Sequence, residues 1–371
     1  MANFLSNIFK KSEGSVLGID IGASAIKIVQ IRKKGARAVL ETYGTLSLGP
    51  YAGVEIGRAT VLQPEKVIAA LTDILREAKT TTRKGGLTIP FGSTLMSVIE
   101  MPSVDPRQMA SMVPIEARKY IPVPITEVSL DWSVVPKEEV ALRTEEPESA
   151  DKAPIRKTKM EDVLLVAIHN ETLREYQEIV KKVNLEANFF EIEIFSTIRA
   201  VLDKNISPVL ILDMGAASTK LYIVDRGIVR ASHTISRGSQ DVTLTLASGL
   251  SVAPDKAEIL KRTIGWEKGG TRKDVADIIS LTVDHIFSEA KHVISNYQTK
   301  HMKSIEKAIL VGGGSNMKGF TELAQAGLQM PVELGDPFSK VEAPAFLTDV
   351  LKKNGPEFTA ALGIALRRIQ E

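Results

Sequence analysis

Apolar and polar residues change rhythm several times along the chain, and each change predicts an element. From Ser15 to Val39 apolar residues run in continuous or alternating order, the signature of strands. Gln63–Ala78 places them three and four apart with Pro64 at its start, which predicts an amphipathic helix. Residues 87–135 predict strands flanking a helix at about 105–120, which ends at the IPVP stretch because proline cannot continue it. Residues 137–161 are charged, proline-dotted and too poor in apolar side chains to repay ordering, so an exposed or mobile loop within a hairpin is expected. The strand VLLVAIH (163–169) and a helix over 170–183 resume the pattern. Residues 238–300 read as mostly helical, with QDVTLTLASGL, APDKAEILKRTIG and a long run from Asp274 to Lys300. The strand AILVGG (308–313), a Gly-rich turn and a helix over 318–326 lead to the closing apolar helix FTAALGIALRRI.

Strands interleaved with helices give an α/β class. The predicted organisation is a lead-in over 1–14, a first domain over 15–205, a second over 206–349 and a terminal helix over 350–371 that returns to the first. Residues 93–186 form a compact βαβ-type insertion in the first domain, and the second carries a helical part at about 238–304. In the lead-in, Phe4, Leu5, Ile8 and Phe9 would share a helix face ahead of Lys10 and Lys11. That reads first as a frayed tail resting on its own domain, with a membrane-surface or partner-docking helix as the alternative.

One segment occurs twice. Residues 17–31 read LGIDIGASAIKIVQI and residues 210–224 read LILDMGAASTKLYIV, pairing Asp20 with Asp213, Gly22 with Gly215, Ala23 with Ala216 and Lys27 with Lys220. Each reads as strand, small-residue turn, strand. Gly22 and Gly215 permit backbone angles that bulkier residues resist, so successive turn N–H groups can form a nest for phosphate oxygens. Ser24, and Ser218 with Thr219, add hydroxyl donors. Lys27 and Lys220 follow their aspartates by the same offset, and strand alternation leaves open whether they reach phosphate or solvent. Asp20 and Asp213 suit Mg²⁺, which keeps several waters and uses one or two carboxylates plus phosphate oxygens. Gly312, Gly313 and Gly314 end a later strand and allow close approach of a flat ligand, although neither a Rossmann fingerprint nor a Walker loop is present.

Composition narrows the chemistry. Of 371 residues, 44% are apolar and 25% charged, ordinary for a globular chain, and a net charge of +2 implies no strong pull toward nucleic acid. The absence of cysteine excludes disulfides, thiolate metal sites and thiol nucleophiles. Five histidines, none one helical turn from another, make a His-based metal site unexpected. With no apolar run near the roughly 20 residues of a membrane span and no signal peptide, the chain reads as cytosolic.

The two hairpins and the Gly-rich turn resemble, in order and spacing, the phosphate-1, phosphate-2 and adenosine motifs of the actin-like ATPase superfamily. Within it, VLGIDIGASAIKIVQI, MASMVPIEARKYIPVPITEVSLDW, FFEIEIFSTIRAV and FTAALGIALR are similar to the PilM family of cytoplasmic type IV pilus assembly proteins. The resemblance implies two domains of duplicated mixed-sheet topology, a small α+β insertion in the first, and ATP with Mg²⁺ in the cleft between them. Gly22, Ala23 and Ser24 would face phosphate, with Gly215, Ser218 and Thr219 opposite. Gly313, Gly314 and Ser315 would lie against adenine and ribose, with Lys318 near the base. Glu258 and Lys261 are candidates to reach the nucleoside, or else a solvated helix face.

For hydrolysis the family's linking segment supplies a polar residue that orients water, and Glu193 is the first candidate and Glu191 the second. The family pattern there is nearer Val-Asp-Val-Glu-Pro-Phe-Ala. Here Glu191 replaces the Asp, Ile194 the Pro and Ser196 the Ala. A site can hold ATP firmly yet turn it over slowly, so slow hydrolysis or none is expected.

The family also implies a partner, the N-terminal cytoplasmic peptide of a PilN-like inner-membrane protein, lying in a groove between the first domain and its insertion. Met109, Met112, Val113, Glu116, Tyr120, Ile121 and Pro122 are the candidate lining. Other pilus assembly platform proteins are implied as partners too, with a location peripheral to the inner membrane reached through them and no nucleic acid. A small-molecule kinase and an FtsA-like filament former are the alternatives.

Overall fold

The computed structural model describes residues 14–135, 160–203, 207–267 and 269–370. The expected lead-in helix, and nearly all of the loop expected over 137–161, lie outside the described residues.

The first sheet is built from β1 (Ser15–Ile21), β2 (Ala25–Lys34), β3 (Arg37–Ser47), β4 (Lys84–Ile89) and β8 (Glu186–Ile192), in the order β3-β2-β1-β4-β8. Val16 to Asp20 are buried in succession, as a central strand covered on both faces requires. Strands β1 to β3 form an antiparallel meander, whereas β4 and β8 add in parallel. After β3 come the short α1 (Gly49–Ala52) and α2 (Pro64–Glu77), the latter started by proline where no amide partner is needed.

Between β4 and β8 the chain builds a separate unit, Gly92–Tyr176. It contains β5 (Thr94–Pro102), α3 (Pro106–Ala117), β6 (Val128–Val135) and β7 (Met160–His169), and α4 (Asn170–Lys182) begins within it. Asp105 caps α3 by accepting from the Arg107 and Gln108 amides at 2.9 and 3.1 Å. Met109, Val113 and Ala117 then pack on Ile99, Met101 and Leu165 of the sheet. The order is β5-β7-β6 with both outer strands antiparallel to β7. This corrects the βαβ-type expectation: β5 and β6 run parallel around α3, but β7 has inserted between them and takes their hydrogen bonds.

After α5 (Glu193–Val201), the second sheet repeats the first strand for strand. Its members are β9 (Val209–Met214), β10 (Thr219–Asp225), β11 (Ile228–Ile235), β12 (Lys307–Val311) and β13 (Val332–Leu334), ordered β11-β10-β9-β12-β13 with the same antiparallel and parallel pairings. Between β11 and β12 come α6 (Ser239–Leu250), α7 (Pro254–Thr263) and α8 (Lys273–His301), and α9 (Phe320–Leu328) precedes β13. Leu210, Leu212 and Leu221 of this sheet share a core with Val242, Ile279 and Val283 of the helices. Each such buried side chain contributes about 1.5–3 kcal/mol relative to exposure.

The chain ends in α10 (Thr348–Asn354) and α11 (Thr359–Gln370), and α11 packs on the first sheet. Gly18 makes that approach possible, because a Cβ there would lie 1.9 Å from the Ala361 carbonyl oxygen. Gly363 lets α11 lie close against α5 in the same way, since a Cβ there would meet the Ser196 carbonyl oxygen at 1.8 Å. No helix among the described residues is long and apolar enough to cross a membrane.

Candidate functional site

The two repeated segments fold into the same local structure. Gly22 N–H donates to the Ala25 carbonyl at 3.1 Å, and Gly215 N–H donates to the Ser218 carbonyl at 3.0 Å. Each turn sets its aspartate opposite its lysine in register, Asp20 against Lys27 and Asp213 against Lys220. The turns confront one another across a cavity of ≈ 380 Å³, lined by Gly22, Ala23 and Ser24 on one side and Gly215, Ala216 and Ser218 on the other. Helix α6 is anchored on the second turn, its Ser239 and Gln240 amides donating to the Gly215 and Ala216 carbonyls at 2.9 and 3.0 Å. Gly238 is required there, since a Cβ would lie 2.4 Å from the Ala216 oxygen.

Both lysines turn into the cavity rather than toward solvent. Lys27 Nζ stands 3.6 Å from Asp20 Oδ2, and Lys220 Nζ stands 3.5 Å from Asp213 Oδ2. Asp20 Oδ1 accepts from the Thr88 hydroxyl at 2.7 Å. Glu193, opening α5, accepts the Phe91 amide at 2.6 Å on one oxygen and the Lys220 ammonium at 2.7 Å on the other. Burial pushes the Glu193 carboxyl above its ordinary value; Lys220 opposes this, while Asp213 and Asp20 add to it. Burial alone would lower Lys220, yet the carboxylates of Glu193, Asp213 and Asp20 outweigh it and hold the ammonium charged.

The far wall comes from the second half. Glu258 and Lys261 of α7 are buried and paired at 2.7 Å. The Thr243 hydroxyl donates to Glu258 at 2.6 Å and accepts from Lys261 at 2.8 Å, while Arg262 donates to Glu258 at 2.6 Å. Burial raises Glu258, but Lys261 with these hydrogen bonds outweighs it and leaves the carboxyl below its ordinary value. Gly312, Gly313 and Gly314 complete the wall. Gly312 has φ +84, and a Cβ there would lie 2.3 Å from Asp213 Oδ1.

Four candidates lie elsewhere, each spent on another contact. Glu191 accepts from Arg199 at 2.6 and 2.8 Å, from Ser196 at 2.5 Å and from Arg367 at 3.3 Å. The Thr219 hydroxyl donates to the Arg237 carbonyl at 2.8 Å, and the Ser315 hydroxyl donates to the Val311 carbonyl at 2.6 Å. Lys318 faces Glu267 at 3.5 Å, with its side chain 58% exposed. The cavity also takes in residues that sequence reasoning did not single out, among them Thr45, Ser47, Thr197, Ser239, Lys353, Asn354 and Glu357. They fall outside the repeat and the Gly-rich turn; only Ser239, which opens α6 directly after Gly238, carries a local cue, that of a helix start.

The candidate peptide-binding residues belong to the insertion and do not share one surface. Met109, Val113 and Ile121 are buried in its core, and Met112 is half-buried beside it. Tyr120 is exposed, as is Pro122, and Glu116 pairs with Lys119 at 2.8 Å. Ile115 is exposed on the same helix as Met112.

The donor set suits a nucleoside triphosphate: two small-residue turns, the Ser24 and Ser218 hydroxyls, and cations from both halves converge on a cavity with a glycine-lined wall. For a divalent ion the fit is narrower. Among the described residues no three or more His, Asp or Glu side chains form a metal cage, and each aspartate already faces an ammonium group.

A family model described as "Type IV pilus assembly protein PilM" matches residues 18–369. Cell division protein FtsA of Pseudomonas aeruginosa is 26% identical over 220 residues, covering 53% of this chain and 51% of its own. The chain spans about half the length of the curated relatives it matches. Among solved structures, the "PilM-PilN type IV pilus biogenesis complex" superimposes with a TM-score of 0.78 at 24% identity, covering 97% of this chain and 100% of that one. MreB 5 of Spiroplasma citri, bound to AMPPNP, superimposes with a TM-score of 0.51 at 10% identity over 96% of this chain and 97% of that one. The fold is that of the actin-like ATPases.

Proposed function

The chain belongs to the family of the type IV pilus assembly protein PilM, and from that premise we propose that it is an ATP-binding scaffold of the pilus assembly platform. The observation that carries this reading is the meeting of two turns with one hydrogen-bond pattern and one Asp–Lys register across a single cleft. Gly22, Ala23 and Ser24 take the triphosphate from one side, and Gly215 and Ser218 from the other. Gly313 and Gly314 back the adenosine, which Glu258 and Lys261 approach from α7. Asp20 and Asp213 would be the carboxylates to hold, through water, a Mg²⁺ ion carried by the triphosphate, and such an ion would offset phosphate charge alongside the ammonium groups they already face. When bound, the nucleotide supplies a polyanion that both halves grip at once.

Turnover is slow or absent. Glu193, the first candidate to orient the attacking water, is fixed in place by two strong donors, the Phe91 amide on one oxygen and the Lys220 ammonium on the other, and the ammonium draws off the negative charge that would polarise a water. Holding ATP without rapid hydrolysis suits a component that reports nucleotide state to its partners.

The partner is the N-terminal cytoplasmic peptide of a PilN-like inner-membrane protein, bound on the insertion, and through it the chain sits at the cytoplasmic face of the inner membrane beside other platform proteins. Half-buried Met112 and exposed Tyr120 supply adaptable apolar contacts. Pull-down with that peptide tests the reading. Loss of binding in the Tyr120→Ala, Met112→Glu double variant is expected, and binding that survives both changes would count against this surface. The FtsA relatives, matched over about half of their length, fit only in part the alternative of an FtsA-like filament former, and ATP-dependent pelleting of the purified chain would revive it. Turnover stimulated by a sugar or by acetate would point to a small-molecule kinase instead.

A further inference from the structure

Lys220 reaches a group that its counterpart Lys27 does not. Both stand across a hairpin from an aspartate, at almost the same distance, 3.5 Å and 3.6 Å. Lys27 is folded over its own turn, where a Cβ on Gly22 would come within 2.8 Å of its Nζ. Lys220 extends further and donates to Glu193 at 2.7 Å. One ammonium therefore bridges an aspartate of β9 and the glutamate that opens α5. Glu193 cannot swing away freely, because its other oxygen holds the Phe91 amide at 2.6 Å.

The charges in this corner decide what the bridge does. Asp20, Asp213 and Glu193 act together on Lys220, and the site is buried. A divalent ion helps bind a triphosphate by linking its oxygens to carboxylates, directly or through water. Here the carboxylate oxygens of Asp213 and Glu193 already share a cation. Displacing that ammonium would strand charged groups with little water around them, which is strongly unfavourable. A lysine ammonium is also a compact charge with three donors, able to meet phosphate oxygens while it keeps a carboxylate partner.

We propose that Lys220 is the resident cation of the cleft. Held between Asp213 and Glu193, it takes the electrostatic place of a divalent ion, so the chain binds a nucleoside triphosphate without requiring one. This inference rests on the nucleotide-binding reading above.

The test is calorimetric titration of ATP into the nucleotide-free full-length chain, once in EDTA and once with excess magnesium. Wild-type affinity should agree between the two within about threefold. In Lys220→Met, affinity should fall by about tenfold or more in EDTA and be largely restored by magnesium. Magnesium alone should raise the melting temperature of Lys220→Met and leave the wild type unmoved. A wild type that needs magnesium overturns the proposal, as does a Lys220→Met loss that is equal in both conditions, since that marks an ordinary phosphate contact. A wild type that binds no ATP in either condition defeats the nucleotide reading itself, and this inference with it. Should Lys220→Met fail to fold around a stranded Glu193, the double variant Lys220→Met, Glu193→Gln removes both charges. The same loss in EDTA and recovery in magnesium is then expected through Asp213.

Discussion

Asp20 and Thr88, on the adjacent strands β1 and β4, are joined by a hydrogen bond of 2.7 Å from the threonine hydroxyl to Asp20 Oδ1. The second sheet has Val311 at the equivalent place beside Asp213, and valine offers no donor. The two halves thus repeat their topology but treat their acids differently. Asp20 is held by a neutral hydroxyl and one lysine, whereas Asp213 depends on Lys220. Thr88→Val should destabilise the protein by about 1–3 kcal/mol, because a buried carboxylate oxygen loses its donor while the volume is kept. Denaturant unfolding measures this, and a loss below about 0.5 kcal/mol would show that the bond does not fix Asp20.

The two glutamates that straddle the β8–α5 junction should separate cleanly by mutation. Glu191 is clamped by Arg199 and Arg367 outside the cavity, whereas Glu193 lies in it. Glu191→Gln takes the counter-charge from Arg199, whose side chain is only 19% exposed. Removing one partner of such a buried pair costs about 3 kcal/mol. ATP affinity should stay within about twofold of wild type, less than about 0.5 kcal/mol. A Glu191→Gln variant of unchanged stability whose ATP affinity falls about tenfold or more, about 1.4 kcal/mol, would return that residue to the site.

Local geometry explains what the sequence could disclose. The seven-residue offset from Asp20 to Lys27, and from Asp213 to Lys220, spans a four-residue turn, so each pair must face across its hairpin. The Gly-rich turn is equally local. Thr219 is legible in hindsight through strand alternation: with Lys220 turned into the cavity, its neighbour must point to the opposite face, and it meets the Arg237 carbonyl there. The Lys220–Glu193 contact joins residues 27 apart from different halves of the fold, and no periodicity encodes it. Glu357, Asn354 and Lys353 reach the cleft only because α10 and the turn after it return there from the end of the chain. The place of β7 inside the insertion's crossover likewise depends on which strands exchange hydrogen bonds, a choice made in tertiary structure.

Glu258 sets an acid limb to the stability curve. Its carboxyl lies below the ordinary value of 4.5 despite burial, because Lys261, Thr243 and Arg262 favour the charged form. A depressed carboxylate contributes stability that is fully present above its unfolded-state value and is lost as pH falls through its folded-state value. Burial lowers the pKa of its partner Lys261, with Glu258 offsetting part of that. Unfolding midpoints measured from about pH 6 down to about pH 3 should therefore fall less steeply in Glu258→Gln than in wild type. Identical slopes would mean that the Glu258 pair contributes nothing to the acid limb.

Glu357 should have the opposite sign. It lines the same cavity from the turn before α11, and burial pushes its carboxyl above 4.5, with Lys27 and Arg262 opposing the shift from two sides. A raised carboxylate favours the folded state while it is protonated. That contribution is fully present below the unfolded-state value and is lost as pH rises through the folded-state value, so at neutral pH the charged group is a cost. Glu357→Gln removes the charge and keeps the shape. Its melting temperature should exceed that of wild type at about pH 7, and the difference should disappear at about pH 4, where the wild-type side chain is itself largely protonated. A gain that persists or grows in acid would mean that the glutamine is making new contacts, and that burial of the Glu357 charge is not what the substitution relieved.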